Sequence, residues 1–177
     1  MADPSASSPA AFSAALAAAA AAAGWAPLAR VDAALLVFVL SAVPPGARLH
    51  ALLASVVRAL RPGGALLVRD HGLYDLPMLR FPPAAQRGSC GRVFARGDGT
   101  LARFFDKDAL ADEVEAAAAA GGAPLRRDAA EWCCVVVRNR AAGVEMRRVF
   151  VHAAWTRLPE EETAAGITAA SRTAYAA

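Results

Sequence analysis

From Val31 onward the chain changes character, and Ala33-Ala34-Leu35-Leu36-Val37-Phe38-Val39-Leu40 forms an almost unbroken apolar run. A run without polar alternation predicts a parallel strand at the centre of a sheet, covered on both faces. Pro44-Pro45-Gly46 breaks it. Leu49, Leu52, Leu53, Val56, Val57 and Leu60 then recur at i, i+3, i+4, i+7, i+8 and i+11, the apolar stripe of an amphipathic helix. Arg61-Pro62-Gly63-Gly64 stops the helix, and Ala65-Leu66-Leu67-Val68 reads as a second short strand ending at Arg69-Asp70. Strand, helix and strand in that order predict a right-handed parallel crossover.

The stretch from His71 to Arg103 reads as loop. Asp106 is placed to cap a helix running through Leu110 and Val114 to a stop at Gly121-Gly122. Two further strands, Trp132–Val137 and Val149–Trp155, flank a turn over Asn139–Gly143 and predict a terminal hairpin. Residues 1–30 are a low-complexity, Ala-rich segment in which Ser8, Pro9 and Gly24 have the character of helix start and stop signals. This segment lacks the basic residues of a targeting peptide, and Ala14–Ala23 is too short and too weakly apolar to span a membrane. The tail, 159–177, opens on three glutamates and fades into small residues, which predicts solvated helix or disorder. The expected organisation is thus one α/β unit over residues 31–158 between two loosely attached ends.

Composition changes this picture little. Of 177 residues 56% are apolar and 20% charged, a balance that favours a packed core over disorder. The formal charge of +3 identifies no partner. Lys107 is the only lysine among 19 basic residues, an arginine bias that codon composition explains ahead of phosphate recognition. Cys90, Cys133 and Cys134 cannot pair completely, and the adjacent pair would face opposite sides of a strand. Reduced thiols suit an intracellular compartment, with cytoplasm expected before mitochondrion or nucleus. His50, His71 and His152 are scattered and the ligand pairs of a zinc site are missing, so no metal is expected.

Ligands of open parallel sheets bind beyond the carboxyl ends of the strands, where the crossover loops diverge. The two predicted ends are Val39-Leu40-Ser41 and Arg69-Asp70-His71-Gly72, so Ser41 and Asp70 should meet at one cleft. Asp70 could equally act as a structural partner of Arg69 or Arg80. Between Arg80 and Arg103 lie five arginines, Arg80, Arg87, Arg92, Arg96 and Arg103, against one acid, Asp98. Phe81, Phe94, Phe104 and Phe105 fall in or beside this stretch. Guanidinium forks match phosphates and aromatic rings stack on unpaired bases, but phenylalanines that pin a surface loop to the core would read the same way.

The motifs Leu36-Val37-Phe38-Val39-Leu40-Ser41-Ala42-Val43, Leu60-Arg61-Pro62-Gly63-Gly64, Arg69-Asp70-His71-Gly72-Leu73-Tyr74-Asp75, Leu79-Arg80-Phe81 and Arg96-Gly97-Asp98-Gly99-Thr100 occur in one order. Phe104-Phe105, Arg138-Asn139-Arg140 and Met146-Arg147-Arg148-Val149 continue the series. The set resembles the methyltransferase-like tRNA N(3)-methylcytidine methyltransferases. The element around Pro62 is common to many methyltransferases, whereas the run from Arg69 to Asp75 combined with Arg96 to Thr100 is specific. The resemblance implies the fourth to seventh strands of a class I, Rossmann-like S-adenosyl-L-methionine-dependent fold, without the earlier strands. It also implies tRNA as substrate and, in some members, an aminoacyl-tRNA synthetase or other protein as partner, with no membrane.

By the same resemblance Phe38, Val39, Leu40 and Ser41 would flank the cofactor, and Asp70 and Tyr74 would be catalytic. His71, Arg80, Arg96, Asp98 and Thr100 would shape the substrate side. The family usually carries tyrosine where this chain has His71. The Gly-rich turn and the acidic residue that grips the cofactor ribose belong upstream of Val31, and the Ala-rich segment has no replacement for either. The chain alone is therefore expected to bind S-adenosyl-L-methionine weakly or not at all, and to expose an apolar strand edge along Ala33–Leu40. A noncatalytic RNA-binding or partner-stabilising protein is the alternative reading.

Overall fold

The structure, a computed structural model, describes residues 30–88, 91–140 and 143–159. The Ala-rich segment, the acidic tail and Cys90 lie outside the described residues, apart from Arg30 and Pro159 at their borders. Strand β1 (Val31–Val37) leads through a 3-10 turn at Leu40–Ala42 into helix α1 (Ala47–Ala59) and then strand β2 (Leu60–His71). A short helix α2 (Leu76–Arg80) and three short strands, β3 (Gln86–Arg87), β4 (Val93–Ala95) and β5 (Leu101–Arg103), follow. Helix α3 (Lys107–Ala120) precedes the long hairpin of β6 (Leu125–Asn139) and β7 (Val144–Arg157).

The main sheet has the order β1-β2-β7-β6. Strands β1 and β2 are parallel, with Val37 opposite Arg69, as the crossover pattern predicts. Strand β7 inserts between β2 and β6 and is antiparallel to both. The result is a mixed α/β sheet with a parallel pair and a terminal antiparallel hairpin.

One face of this sheet carries the core. Leu49, Leu53 and Val57, spaced four apart on α1, and Leu110, Val114 and Ala118 on α3 are buried against Leu66, Val68, Val151 and Trp155. The Trp155 indole is fully buried, and its N–H donates to Glu115 Oε1 at 2.9 Å, which keeps its polar atom satisfied. Asp106 caps α3 as expected, accepting from the N–H groups of Asp108 and Ala109 at 3.0 and 3.1 Å. Arg157, at the end of β7, is buried and donates to the carbonyls of Arg58 and Leu60 where α1 turns into β2. Helix-terminal carbonyls that would lack partners are satisfied there.

Four expectations need correction. Among the described residues the first strand lies at the sheet edge, as the expected lack of earlier strands implies, but it is not covered on both faces as its apolar run predicts: Leu35 is 65% exposed on the open side, beside Val37 and Leu67. The strand also stops at Val37, because Phe38 turns to φ +55° and Leu40–Ala42 coil into the 3-10 turn. The Arg61–Gly64 segment is not a loop between helix and strand but an irregular start of β2. Val31 pairs with Leu60 and Ala33 with Ala65, so the intervening residues bulge out. A Cβ on Gly64 would lie 2.8 Å from the Arg61 carbonyl oxygen, which is why glycine is needed there. Finally, the stretch from His71 to Arg103 is a small subdomain in which Phe81, Phe94 and Phe104 pack ring against ring, with centroids 4.8 to 6.2 Å apart. Phe105 joins the main core. These phenylalanines serve packing, with Phe94, Phe104 and Phe105 buried and Phe81 half-buried.

Leu53→Ala should cost about 2–5 kcal/mol in urea unfolding, because it empties a fully buried site. Leu35→Lys, on the open face, should change stability by no more than about 0.5 kcal/mol. It should also reduce self-association measured by light scattering.

Candidate functional site

The carboxyl ends of β1 and β2 lie side by side because the strands are parallel and adjacent. The chain leaves β1 through Phe38, whose backbone N–H donates to the Arg69 carbonyl at 2.9 Å and extends the ladder by one bond. It then enters the 3-10 turn, where the Ser41 N–H donates to Asp70 Oδ2 at 3.0 Å. The other oxygen, Oδ1, accepts from the His71 N–H at 2.8 Å. Asp70 is fully buried. Its carboxylate thus closes the first turn onto the end of the second strand, and both its oxygens are committed to main-chain donors. It pairs with neither Arg69 nor Arg80.

Beside it stands an aromatic group. The Phe38 ring stacks on His71 with centroids 4.9 Å apart and an interplanar angle of 29°, and meets Phe150 edge-on at 5.6 Å. Phe104 closes the far side of His71 at 5.7 Å. The Arg69 and Arg148 guanidiniums lie over the Phe150 ring at 4.6 and 5.0 Å, within cation–π range.

A second buried carboxylate holds the following turn. Asp75 accepts from Arg148 Nε and Nη2 at 2.8 and 2.9 Å and from the Val149 N–H at 3.0 Å. Its Oδ2 lies 3.4 Å from His71 Nδ1. Burial alone would raise the Asp75 carboxyl, but the Arg148 hydrogen bond, the Val149 N–H and the Arg148 charge outweigh it, and the group titrates below its ordinary value. Desolvation dominates at His71, and its imidazole titrates below the usual histidine range even with Asp70 and Asp75 nearby. Gly72 makes this turn possible: a Cβ there would meet Trp132 at 2.8 Å and Val149 at 2.9 Å, while its N–H donates to the Val149 carbonyl at 2.9 Å.

The residues expected from the sequence fall into three groups. Phe38, Ser41, Asp70 and His71 come together as described, with Leu40 buried beneath them and Val39 half-buried. Arg96, Asp98 and Thr100 build the tight turn between β4 and β5. Asp98 Oδ1 accepts from the Thr100 N–H at 2.9 Å and hydroxyl at 2.7 Å, and Arg96 Nη1 donates to the Thr100 hydroxyl and the Leu101 carbonyl. The positive charge of Arg96 reaches His71 electrostatically and lowers its affinity for a proton. Tyr74 and Arg80 stand apart: Tyr74 occupies a left-handed turn at φ +63° with its side chain outward, and Arg80 ends α2 in solvent.

Asp75, Arg148 and Phe150 were not foreseen as part of this site. Asp75 and Arg148 both lie in the motifs quoted above, but they meet across 73 positions, and only strand register reveals such a pairing. Of the arginines between 80 and 103, Arg103 pairs with Glu113 at 2.6 Å, and Arg87 and Arg96 donate to nearby carbonyls. Among the described residues there is no group of side chains suited to a metal ion, and no helix long and apolar enough to cross a membrane.

The four residues expected at the cofactor supply one apolar wall. Leu40 and Ser41 are buried, and the Ser41 N–H is taken by Asp70. No carboxylate among them is free to grip a ribose, so these residues do not fit S-adenosyl-L-methionine without a further wall.

Asp75→Ala should destabilise the fold by about 3–5 kcal/mol, since it leaves the Arg148 charge unpaired against a buried turn. Because the folded Asp75 carboxyl titrates below its unfolded value of about 3.9, its contribution is complete above that pH and fades as pH falls through the folded value. His71 is also depressed in the folded state. The unfolded chain therefore takes up the extra proton first, and stability should decline as pH drops below about 6.5. His71→Tyr should remove that part of the decline in urea titrations across the acid range.

No family model matches the chain. It is 44% identical over 81 residues to the human tRNA N(3)-cytidine methyltransferase METTL6, which covers 46% of the chain and 28% of that protein. It is 36% identical over 126 residues to the Drosophila melanogaster tRNA N(3)-methylcytidine methyltransferase Mettl2, covering 68% of the chain and 34% of the relative. To the Dictyostelium discoideum O-methyltransferase 3 it is 34% identical over 121 residues, covering 68% of the chain and 26% of the relative. A Burkholderia thailandensis 1,6-didemethyltoxoflavin-N1-methyltransferase, solved with S-adenosylhomocysteine, aligns with a TM-score of 0.45 at 19% identity, covering 76% of this chain and 47% of that one. The chain spans about a quarter to a third of the length of the curated relatives it matches. In sequence the chain is similar to parts of proteins named as methyltransferases, several of them named for the N3 position of tRNA cytidine.

Proposed function

We propose that the chain is the substrate-side part of an S-adenosyl-L-methionine-dependent methyltransferase acting on N3 of a cytidine in tRNA. The observation that carries this reading is the aromatic and charged rim at the ends of β1 and β2, formed by motifs shared with the tRNA methyltransferase relatives. There Phe38 and His71 stack beside the Ser41–Asp70 contact.

The chemistry asked of this rim is alignment. Neutral cytosine carries a lone pair at N3, and the cofactor, when bound to a complete enzyme, supplies an already activated methyl group. No strong base is needed, so holding an extruded base at the right angle is the larger task. Asp70 keeps the Ser41 turn against the strand end, and its buried negative charge favours the cationic ring that N3 methylation produces. Tyr74, turned outward and apart from these residues, offers an exposed ring on which a base can stack. Arg80 and Arg92, whose guanidiniums pair with no carboxylate among the described residues, suit phosphate contacts.

A noncatalytic RNA-binding role is the second reading, favoured by the single apolar wall that Phe38–Ser41 offer the cofactor. Two measurements separate the possibilities. Calorimetric titration with S-adenosyl-L-methionine should show weak or no binding to this chain, and tight binding would refute the one-wall assignment. Filter binding to tRNA across a salt series should give a log–log slope that Arg80→Ala and Arg92→Ala each reduce by about 1. Binding that is absent at low salt would remove both RNA readings.

A further inference from the structure

The surroundings of His71 are more specific than a neutral aromatic position requires. Its ring stacks on Phe38 at 4.9 Å and makes tilted contacts with Phe104 at 5.7 Å and Phe150 at 6.2 Å. Nδ1 is buried and has no completed hydrogen bond, yet it faces Asp75 Oδ2 at 3.4 Å. The side chain retains 16% exposure. Since Nδ1 contributes essentially none of that, the accessible part of the ring lies on its other side. The charged groups acting on it are Asp70 on its own strand, Asp75 on the next turn, Arg148 on β7 and Arg96 at the β4–β5 turn.

Asp75 cannot turn away from His71. Its Oδ1 accepts from Arg148 Nε and the Val149 N–H, and its Oδ2 accepts from Arg148 Nη2. An acceptor with no proton of its own is thereby fixed opposite Nδ1. Neutral imidazole carries its proton on one nitrogen and a lone pair on the other. A fixed carboxylate opposite Nδ1 selects the form protonated there and leaves Nε2 as acceptor.

We infer that Asp75 is a positioning residue that holds neutral His71 in its Nδ1–H form, so that Nε2 offers a lone pair to an amino group on a planar ligand at the carboxyl ends of β1 and β2. The ligand half of this inference rests on the cytidine reading above. Cytosine presents an exocyclic amino group as donor where uracil presents a carbonyl acceptor, so an acceptor at Nε2 favours cytosine and repels uracil.

The test uses the full 177-residue chain labelled with ¹⁵N-histidine. Long-range proton–nitrogen correlation spectra report the tautomer of each neutral imidazole, and His71→Tyr identifies the signals of His71 among the three histidines. The wild type should show the Nδ1–H form above the histidine titration range. In Asp75→Asn, two donors, Arg148 Nε and the Val149 N–H, hold the amide oxygen at the Oδ1 place against one, Arg148 Nη2, at the Oδ2 place, so the amide NH₂ takes the Oδ2 place, gives up the Nη2 bond and donates toward His71 Nδ1. The tautomer should then invert to Nε2–H, and the His71 midpoint should fall because a charge that favours the imidazolium has gone.

A wild-type ring in the Nε2–H form, or an unchanged tautomer in a folded Asp75→Asn variant, overturns the assignment. The wild-type measurement decides the matter even if that variant does not fold. Filter binding of single-stranded oligonucleotides, cytidine-rich against uridine-rich, is read separately. One hydrogen bond gained or lost should give a preference for cytidine of roughly three- to tenfold, erased in Asp75→Asn. An Nδ1–H ring without that preference overturns the nucleobase half and leaves the positioning of His71 intact.

Discussion

Two buried carboxylates, Asp70 and Asp75, decide where the chain runs after the second strand, and the rest of the candidate site depends on them. A buried carboxylate costs free energy unless its oxygens meet donors. Here the donors are main-chain N–H groups of three segments and one guanidinium. Each bond therefore ties a turn to a strand: Ser41 to β2 through Asp70, and the Gly72–Asp75 turn to β7 through Asp75. With those ties in place, Phe38, His71 and Phe150 have one arrangement available. The aromatic rim is a product of charge satisfaction beneath it.

Much of this architecture was legible in the chain. The stripe from Leu49 to Val57, the cap at Asp106, the parallel pairing of the first two strands and the terminal hairpin all follow from periodicity and punctuation that local physics enforces. Ser41 and Asp70 could be brought together from the crossover rule alone. What sequence reading could not supply was longer-range. The phenylalanines around the arginines read equally as base platforms or as packing, and only their mutual contacts decide for packing. Arg61–Gly64 looked like a loop because a Pro-Gly-Gly sequence signals a turn, but the strand absorbs it as a bulge. Asp75 and Arg148 carried no local signal, since their meaning lies in a register set by β2 against β7.

The uncovered side of the main sheet has the opposite character. Leu35, Val37 and Leu67 are exposed there, with Arg69, Glu131 and His152 among them. Parallel strands are ordinarily buried on both faces. Among the described residues no layer covers this face, and the relatives are several times longer than the matched segment.

Finally, the subdomain that begins after His71 leaves and rejoins the sheet at a single place. Gly72 bridges to Phe105, the Phe105 N–H donates to the His71 carbonyl at 2.9 Å, and the Leu73 N–H donates to the Phe105 carbonyl at 2.9 Å. An excursion whose two ends are stapled together transmits little of its own length to what it departs from, because loop closure costs grow only slowly with the number of residues enclosed. The chain between Asp75 and Phe104 can therefore change in length while the frame that carries Asp70 stays the same, provided that those two residues keep their contacts with the sheet.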